Sequence, residues 1–321
     1  MVCYNIILWL KFFEEEITIN KLEDECKLKP IGINSKDELE EYFNKVRYEA
    51  CEYSFMTIYM WQHVFNTSYM IEDGYLNIFG RVNDSYFAIQ PITEPENYQK
   101  AFEAIEGCFN RLEQKLILRA VTKPWVEYLS QKYPDRFEII EERDSHDYFY
   151  EAEKLRTLSG RKYHSKKNHY NSFLKEYGDR FEYRRLGCKD FPEAIALMER
   201  WAEDKEKDQH LVGERLAVEK VFKNYPKLTE TKVGGIYIDN NLEAFTFGEL
   251  LNPDNVVVHV EKANPEIRGL YTAINKLFLE NEFPDVEFVN REEDLGLEGL
   301  RQAKLSYKPI KLVEKYTLIE K

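Results

Sequence analysis

Glycine and proline are scarce in this chain, at 14 and 11 of 321 residues. That scarcity excludes collagen-like, linker-rich and low-complexity architectures, which need those residues to keep the backbone extended or loose. Cysteine is scarce too. Cys3, Cys26, Cys51, Cys108 and Cys188 form no CxxC pair and are odd in number. A disulfide framework or a structural zinc site is therefore not expected, and reduced thiols of a cytoplasmic protein fit. The six histidines are scattered, and His164 and His169 are too far apart to present two ligands on one helix face, so no metal motif is present. The apolar start, Met1–Phe13, has no basic residue ahead of it and no small-residue cleavage site. Its uncharged run of roughly ten residues falls short of the roughly 20 that a membrane span needs, so residues 1–16 read as an N-terminal extension. There is no GxSxG elbow, no GxxxxGK[ST] loop and no HExxH pair. Covalent nucleophilic catalysis thus has no visible support, and direct transfer with acid–base help is the default.

What is present is a chain long enough for two domains, with 43% hydrophobic and 14% aromatic residues to fill their cores. Its net charge of −13 excludes a protein that grips nucleic acid over its whole surface. One segment runs against that charge. Lys154–Arg185 holds ten basic and three acidic residues, a net of +7, which leaves −20 for the rest. A local polyanion contact and a solvated basic helix face both account for the asymmetry.

Hydrophobic periodicity sets the element order. Ser35, with Glu38 three residues on, reads as a capping box that opens a helix over 36–50. A second helix is predicted at 55–64. Strands at 69–71 and 75–79 flank Asp73-Gly74, a hairpin signal, and a third at 86–90 follows the turn Asn83-Asp84. Helices at 96–113 and 124–132 alternate with strands at 116–121, 137–140 and 148–151. The second half repeats this order. It has a strand at 181–186, helices at 190–207 and 214–224, a hairpin around Asp239-Asn240-Asn241, and a strand at 256–262. A helix at 269–280, a strand at 286–290, a helix at 295–305 and a closing strand at 311–319 follow. The repetition predicts a duplicated α/β domain, with 17–152 as one half and 153–321 as the other. No Gly/Ser or Pro linker separates the halves, so they are expected to pack together.

Four stretches could carry chemistry. In the basic segment, a helix from Ser159 would align Tyr163, Tyr170, Phe173, Leu174 and Tyr177 as a core stripe, flanked by Lys162, Lys166 and Lys167. With Arg161 these are candidates for binding phosphate. In the strand 256–262, strict alternation places Val256, Val258 and Val260 on one face and His259 with Glu261 on the other, where Glu261 is a candidate general base ahead of Glu249. The strand runs into Arg268-Gly269 and a helix start, a place where free N–H groups can face an anion. A single glycine there serves a tight turn equally well. Last, Asn290 and Arg291 leave a strand, with Arg301 and Lys304 following on a helix. In an open sheet this is where ligands collect, although the acidic run at 292–294 also suits a helix start.

The segments Gly160–His169, Glu261–Asn264, Asn290–Gly296 and Gly299–Tyr307 resemble the bacterial family DUF2156, which belongs with the C-terminal catalytic domain of phosphatidylglycerol lysyltransferases. The resemblance covers nearly all of the chain after Ile17. It implies two tandem GNAT-like acyltransferase domains packed together, as in Fem-type aminoacyl transferases, and an aminoacyl-tRNA donor held by the Lys154–Arg185 segment. No DNA contact is implied. The membrane-spanning half of those enzymes has no counterpart in this sequence, so a soluble acceptor or a peripheral membrane contact is implied. The acetyl-CoA loop of GNAT enzymes, Q/R-x-x-G-x-G/A, is matched only at Gly269, and Tyr271 stands where Gly or Ala is usual. Three readings follow: aminoacyl transfer from tRNA, acyl-CoA-dependent N-acylation, and a non-catalytic anion-binding protein that keeps the fold.

Overall fold

Fifteen strands order the described residues, which are 21–72, 74–82, 85–203 and 209–321 of a computed structural model. The expected N-terminal extension, Asp73, the Asn83-Asp84 turn and the end of the 190–207 helix lie outside them. In chain order the strands are β1 (Lys29–Pro30), β2 (Ser68–Glu72), β3 (Tyr75–Val82), β4 (Ser85–Ile89), β5 (Ile92–Thr93), β6 (Ile117–Val121), β7 (Phe137–Glu141) and β8 (Asp147–Glu151), followed by β9 (Phe181–Arg185), β10 (Lys232–Ile238), β11 (Asn241–Asn252), β12 (Asn255–Ala263), β13 (Phe288–Asn290), β14 (Lys311–Val313) and β15 (Tyr316–Glu320). They form two mixed sheets. One runs β1-β2-β3-β4-β6-β15-β7 with β5 beside β3; the other runs β14-β8-β13-β12-β11-β10-β9. Each sheet includes a parallel pair, β4 with β6 and β12 with β13.

The chain divides into two compact units, Met1–His146 with Val313–Lys321, and Asp147–Leu312. The sequence had placed everything after 153 in the second half. Instead β8 joins the second sheet, and the expected closing strand over 311–319 is broken. Its first part is β14, and its second, β15, pairs with β6 and β7 in the first sheet. Between them Lys315 is 1% exposed and ion-paired with Glu52 at 2.7 Å, a long-range partner that hydrophobic periodicity cannot signal.

In the first unit, helices Tyr98–Leu112 and Lys123–Lys132 supply Phe102, Ile105, Phe109, Trp125 and Leu129 to a core completed by Phe79, Ala88 and Leu118 from the sheet. The helix expected over 36–50 spans only Lys36–Phe43, and the capping box is not formed. Ser35 Oγ turns back to Gly32, donating to its carbonyl at 2.6 Å, while Glu38 binds Lys29 and accepts from Tyr69. The second unit carries helix Leu270–Glu282 on one face of its sheet, where Phe278 and Leu279 meet Val256 and Val258. On the opposite face Phe222, from helix Gln209–Asn224, lies against Phe245 and Phe247 of β11 and stacks on Phe191. The β10–β11 hairpin is the one expected: Asp239 and Asn240 both take left-handed backbone, as a two-residue turn matched to strand twist requires. Among the described residues no helix is long and apolar enough to cross a membrane.

Candidate functional site

A β-bulge decides which side chains of β12 meet. Phe247 pairs with Val260, but Gly248 pairs with Val258, which leaves His259 as the extra residue. Gly248 permits this approach, since a Cβ there would lie 2.3 Å from the Val257 carbonyl oxygen. The bulge reverses side-chain parity beyond it. Val258 and Glu261 therefore both face helix Leu270–Glu282, where Glu261 accepts from Asn275 at 3.1 Å. His259 faces the other way, toward Phe247, Glu249 and Glu292. The alternation that placed His259 and Glu261 on one face is corrected by this single extra residue.

The pairing of β12 with β13 stops at Val257 and Asn290, although β12 continues for six residues to Ala263. Beyond the end of that short parallel ladder the two strands are no longer paired, and the candidate site is built there. Arg291 leaves β13 and reaches across to Glu261, with Nη2 3.0 Å from Oε1. Both side chains are 11% exposed. The guanidinium carbon lies 4.8 Å from the centre of the Tyr307 ring, and Lys166 Nζ lies 3.8 Å from the same centre. Arg291 Nη1 is buried with no hydrogen-bond partner among the described residues. Burial first, then the charge of Arg291, pushes Lys166 down to about 8, with Glu261 opposing. Two cations and one carboxylate thus converge on one aromatic ring.

The loop that delivers Arg291 is heavily braced. Asn290 is fully buried, donates to Asp147 at 2.8 Å and accepts from the Glu292 amide at 2.7 Å. Glu292, Leu295 and Gly296 all take positive φ. Asp294 is fully buried and accepts from Arg301 Nε and Nη2, from Tyr148 Oη at 2.5 Å and from the Gly296 amide. Burial opposes its charge, but these donors outweigh burial and hold it down to about 2. Lys304 spends its ammonium on the carbonyls of Arg291, Glu292 and Glu293. Behind the loop, His259 is 2.8 Å from Glu292 and 3.8 Å from Glu249. Burial disfavours its charge, yet the two carboxylates outweigh burial and push it up to about 9.

Of the residues singled out from sequence, Glu261, Arg291 and Lys166 come together. Asn290, Arg301 and Lys304 hold the loop around them, and Glu249 serves His259. Arg161, Lys162 and Lys167 are exposed beside Lys166, on the turn Arg161–Tyr163 and the helix His164–Tyr177. That helix has no side-chain cap and no acid in its first turn, so its lysines face the positive end of the helix dipole. Within the expected stripe only Tyr163 and Phe173 are buried, while Leu174 is 37% exposed. Arg268 is exposed. Gly269 has φ +86°, and a Cβ on it would lie 2.2 Å from the His169 carbonyl oxygen. The backbone of helix His164–Tyr177 therefore fills the space beside this glycine. Sequence reading assigned no role to Tyr307 or Asn275. The signal for Asn275 was a polar residue inside an apolar helix face, where it is 2% exposed.

The family described as phosphatidylglycerol lysyltransferase, C-terminal, matches residues 43–319. An uncharacterised protein of Mycoplasmoides gallisepticum is 25% identical over 305 residues, covering 89% of this chain and 97% of its own. A conserved protein of unknown function from Bacteroides thetaiotaomicron superposes with a TM-score of 0.86 at 28% identity, covering 92% of this chain and 99% of that one. L-PGS from Bacillus licheniformis superposes at 0.63 with 11% identity, covering 88% and 91%. The tandem GNAT protein of the clavulanic acid biosynthesis pathway superposes at 0.51 with 10% identity over 91% of this chain and 98% of that one. The fold is thus a tandem GNAT-like α/β fold.

Proposed function

The chain belongs to the family of phosphatidylglycerol lysyltransferase C-terminal domains, and from that premise we propose that it is an aminoacyl transferase whose donor is an aminoacyl-tRNA ester. The observation that carries the reading is the convergence of Lys166 and Arg291 on Tyr307, beside Glu261, beyond the paired part of β12 and β13. Arg291 Nη1, buried and unpartnered among the described residues, is suited to donate to the ester carbonyl oxygen as it gains negative charge. Glu261 holds the guanidinium in place. Lys166, as the free amine, takes the proton of the attacking amine or hydroxyl. The new bond forms at the carbonyl carbon, the ester C–O bond breaks, and the proton passes to the departing ribose oxygen. Arg161, Lys162 and Lys167 would hold donor phosphates near an uncapped helix start. An acyl-CoA donor is the weaker reading, because the His169 backbone already fills the space beside Gly269.

Two measurements test this. Binding of aminoacyl-tRNA through about three phosphate contacts should weaken roughly thirty-fold between 50 and 200 mM salt; salt-independent binding, or none, would sink the donor assignment. Transfer of labelled amino acid from tRNA to an acceptor should speed up as pH rises toward about 8 and level off above it, because the lowered Lys166 must lose its proton to act. Lys166→Met should remove that rise and cost about 10²-fold at pH 8. A variant that keeps the wild-type profile would take the role away from Lys166.

A further inference from the structure

Far along the chain from those residues, within the first unit, a pair of cysteines is arranged for chemistry that the transfer reaction does not use. Helix Lys21–Cys26 packs against helix Tyr98–Leu112. Cys26, at the end of the first, and Cys108, in the second, belong to one core cluster, with the Arg111 side chain beside both. Neither is in a disulfide. Arg111 lies across the pair. Its Nη2 is 3.3 Å from Cys108 Sγ, and its Nε donates at 3.1 Å to the Glu25 carbonyl, next to Cys26. Cys26, itself buried at 4% exposure, borders a surface groove with Lys27, Lys29, Tyr69 and Arg111, and Cys108 is fully buried beneath it.

We propose that Cys26 and Cys108 form a redox pair, which a peroxide converts to an intramolecular disulfide tying helix Lys21–Cys26 to helix Tyr98–Leu112. The thiolate is the reactive form, and a guanidinium beside a thiol pair favours it. The neighbouring Cys108 thiol first, and Arg111 against opposing burial, lower the Cys26 thiol, while Cys26 and burial raise Cys108. Because Cys26 lines the groove and Cys108 lies beneath it, Cys26 is the attacking sulfur and Cys108 the resolving one. Cys26 thiolate attacks hydrogen peroxide reaching it through the groove, breaking the O–O bond to give the sulfenic acid and hydroxide. The Cys108 sulfur then attacks Cys26, forming the S–S bond, and the Cys108 proton leaves with the sulfenic oxygen as water. The peroxide is reduced by two electrons, and the two thiols are oxidised together.

The test is peroxide treatment of the reduced full-length chain, followed by peptide mapping under thiol-blocking conditions. The exposed Cys188 reports that oxidant is present. The expected result is a Cys26–Cys108 linked peptide, reversed by dithiothreitol, and a rise in thermal midpoint on the order of 5–10 °C in the oxidised protein. Cys108→Ser should leave Cys26 as a sulfenic acid that dimedone captures, and Cys26→Ser should leave Cys108 reduced. The proposal is overturned if Cys26 and Cys108 stay reduced once Cys188 is fully oxidised. It is equally overturned if Cys26 passes to the sulfinic acid without linking, or if either cysteine pairs elsewhere. The wild-type map decides alone if a variant fails to fold.

Discussion

Arg291→Ala lowers kcat/KM for aminoacyl transfer by about 10²–10³, the loss expected when one donor to a developing oxyanion is removed. Arg291→Lys should recover only part of it. A lysine keeps the charge but cannot hold Glu261 with one nitrogen while offering another to a carbonyl oxygen. Truncating Arg291 also leaves Glu261 buried beside Asn275 without its counter-ion, a situation that costs about 3–5 kcal/mol in comparable buried pairs. The double variant Glu261→Gln, Arg291→Met removes both charges and separates the two effects. It should be as inactive as Arg291→Ala but unfold later in urea. A loss confined to KM would make Arg291 a binding group instead, and unchanged turnover in Arg291→Lys would remove it from the reaction.

The elements that frame this site were largely legible in the sequence, because they are set by local signals. Asp239-Asn240 can take the left-handed backbone that a hairpin turn demands, and the apolar alternation of β12 and the helical period of 269–280 were visible as such. The convergence of Lys166, Glu261 and Arg291 was half legible: the right residue types stood out, but not their meeting on Tyr307. What decides that meeting is the bulge at His259. Nothing in an alternating run of Val256 to Glu261 says where one residue is extra; the close approach of Gly248 to the Val257 carbonyl, set by a neighbouring strand, says it. The same limit explains the ends of the chain. Lys311–Ile319 has one uninterrupted strand pattern, yet the burial of Lys315 against Glu52 divides it between two sheets. At Ser35 the sequence offered a capping box, and a competing turn to Gly32 took the hydroxyl.

Lys304 carries an expected stability effect of similar size. Sequence placed it among groups that orient a substrate, but the structure puts all of its donors on backbone carbonyls of the loop that holds Arg291. Burial works against its charge and pushes Lys304 down from the usual lysine range. Those carbonyls belong to Glu292, which takes positive φ, and to its two chain neighbours, in a loop where Leu295 also takes positive φ, a conformation tolerated only while the loop is held from several sides. Lys304→Met fits the lysine stem yet leaves these carbonyls short of a buried donor, at about 1–3 kcal/mol for each group left unsatisfied. The expected cost is about 3 kcal/mol or more, concentrated in the second unit. Hydrogen exchange at the amides of Arg291, Glu292 and Gly296 should accelerate more than a hundred-fold, which is what about 3 kcal/mol of lost local stability implies. Transfer should fall with it, and Lys304→Arg, which keeps the charge but not the compact ammonium, should restore little of either. If the Met variant instead matches wild type in exchange and in urea, the bracing of the Arg291 loop rests on Asp294 with Arg301 and Tyr148 and on Asn290 with Asp147. Lys304 would then return to the candidates for substrate contact, because a buried ammonium that does not stabilise the fold must be explained by what it binds.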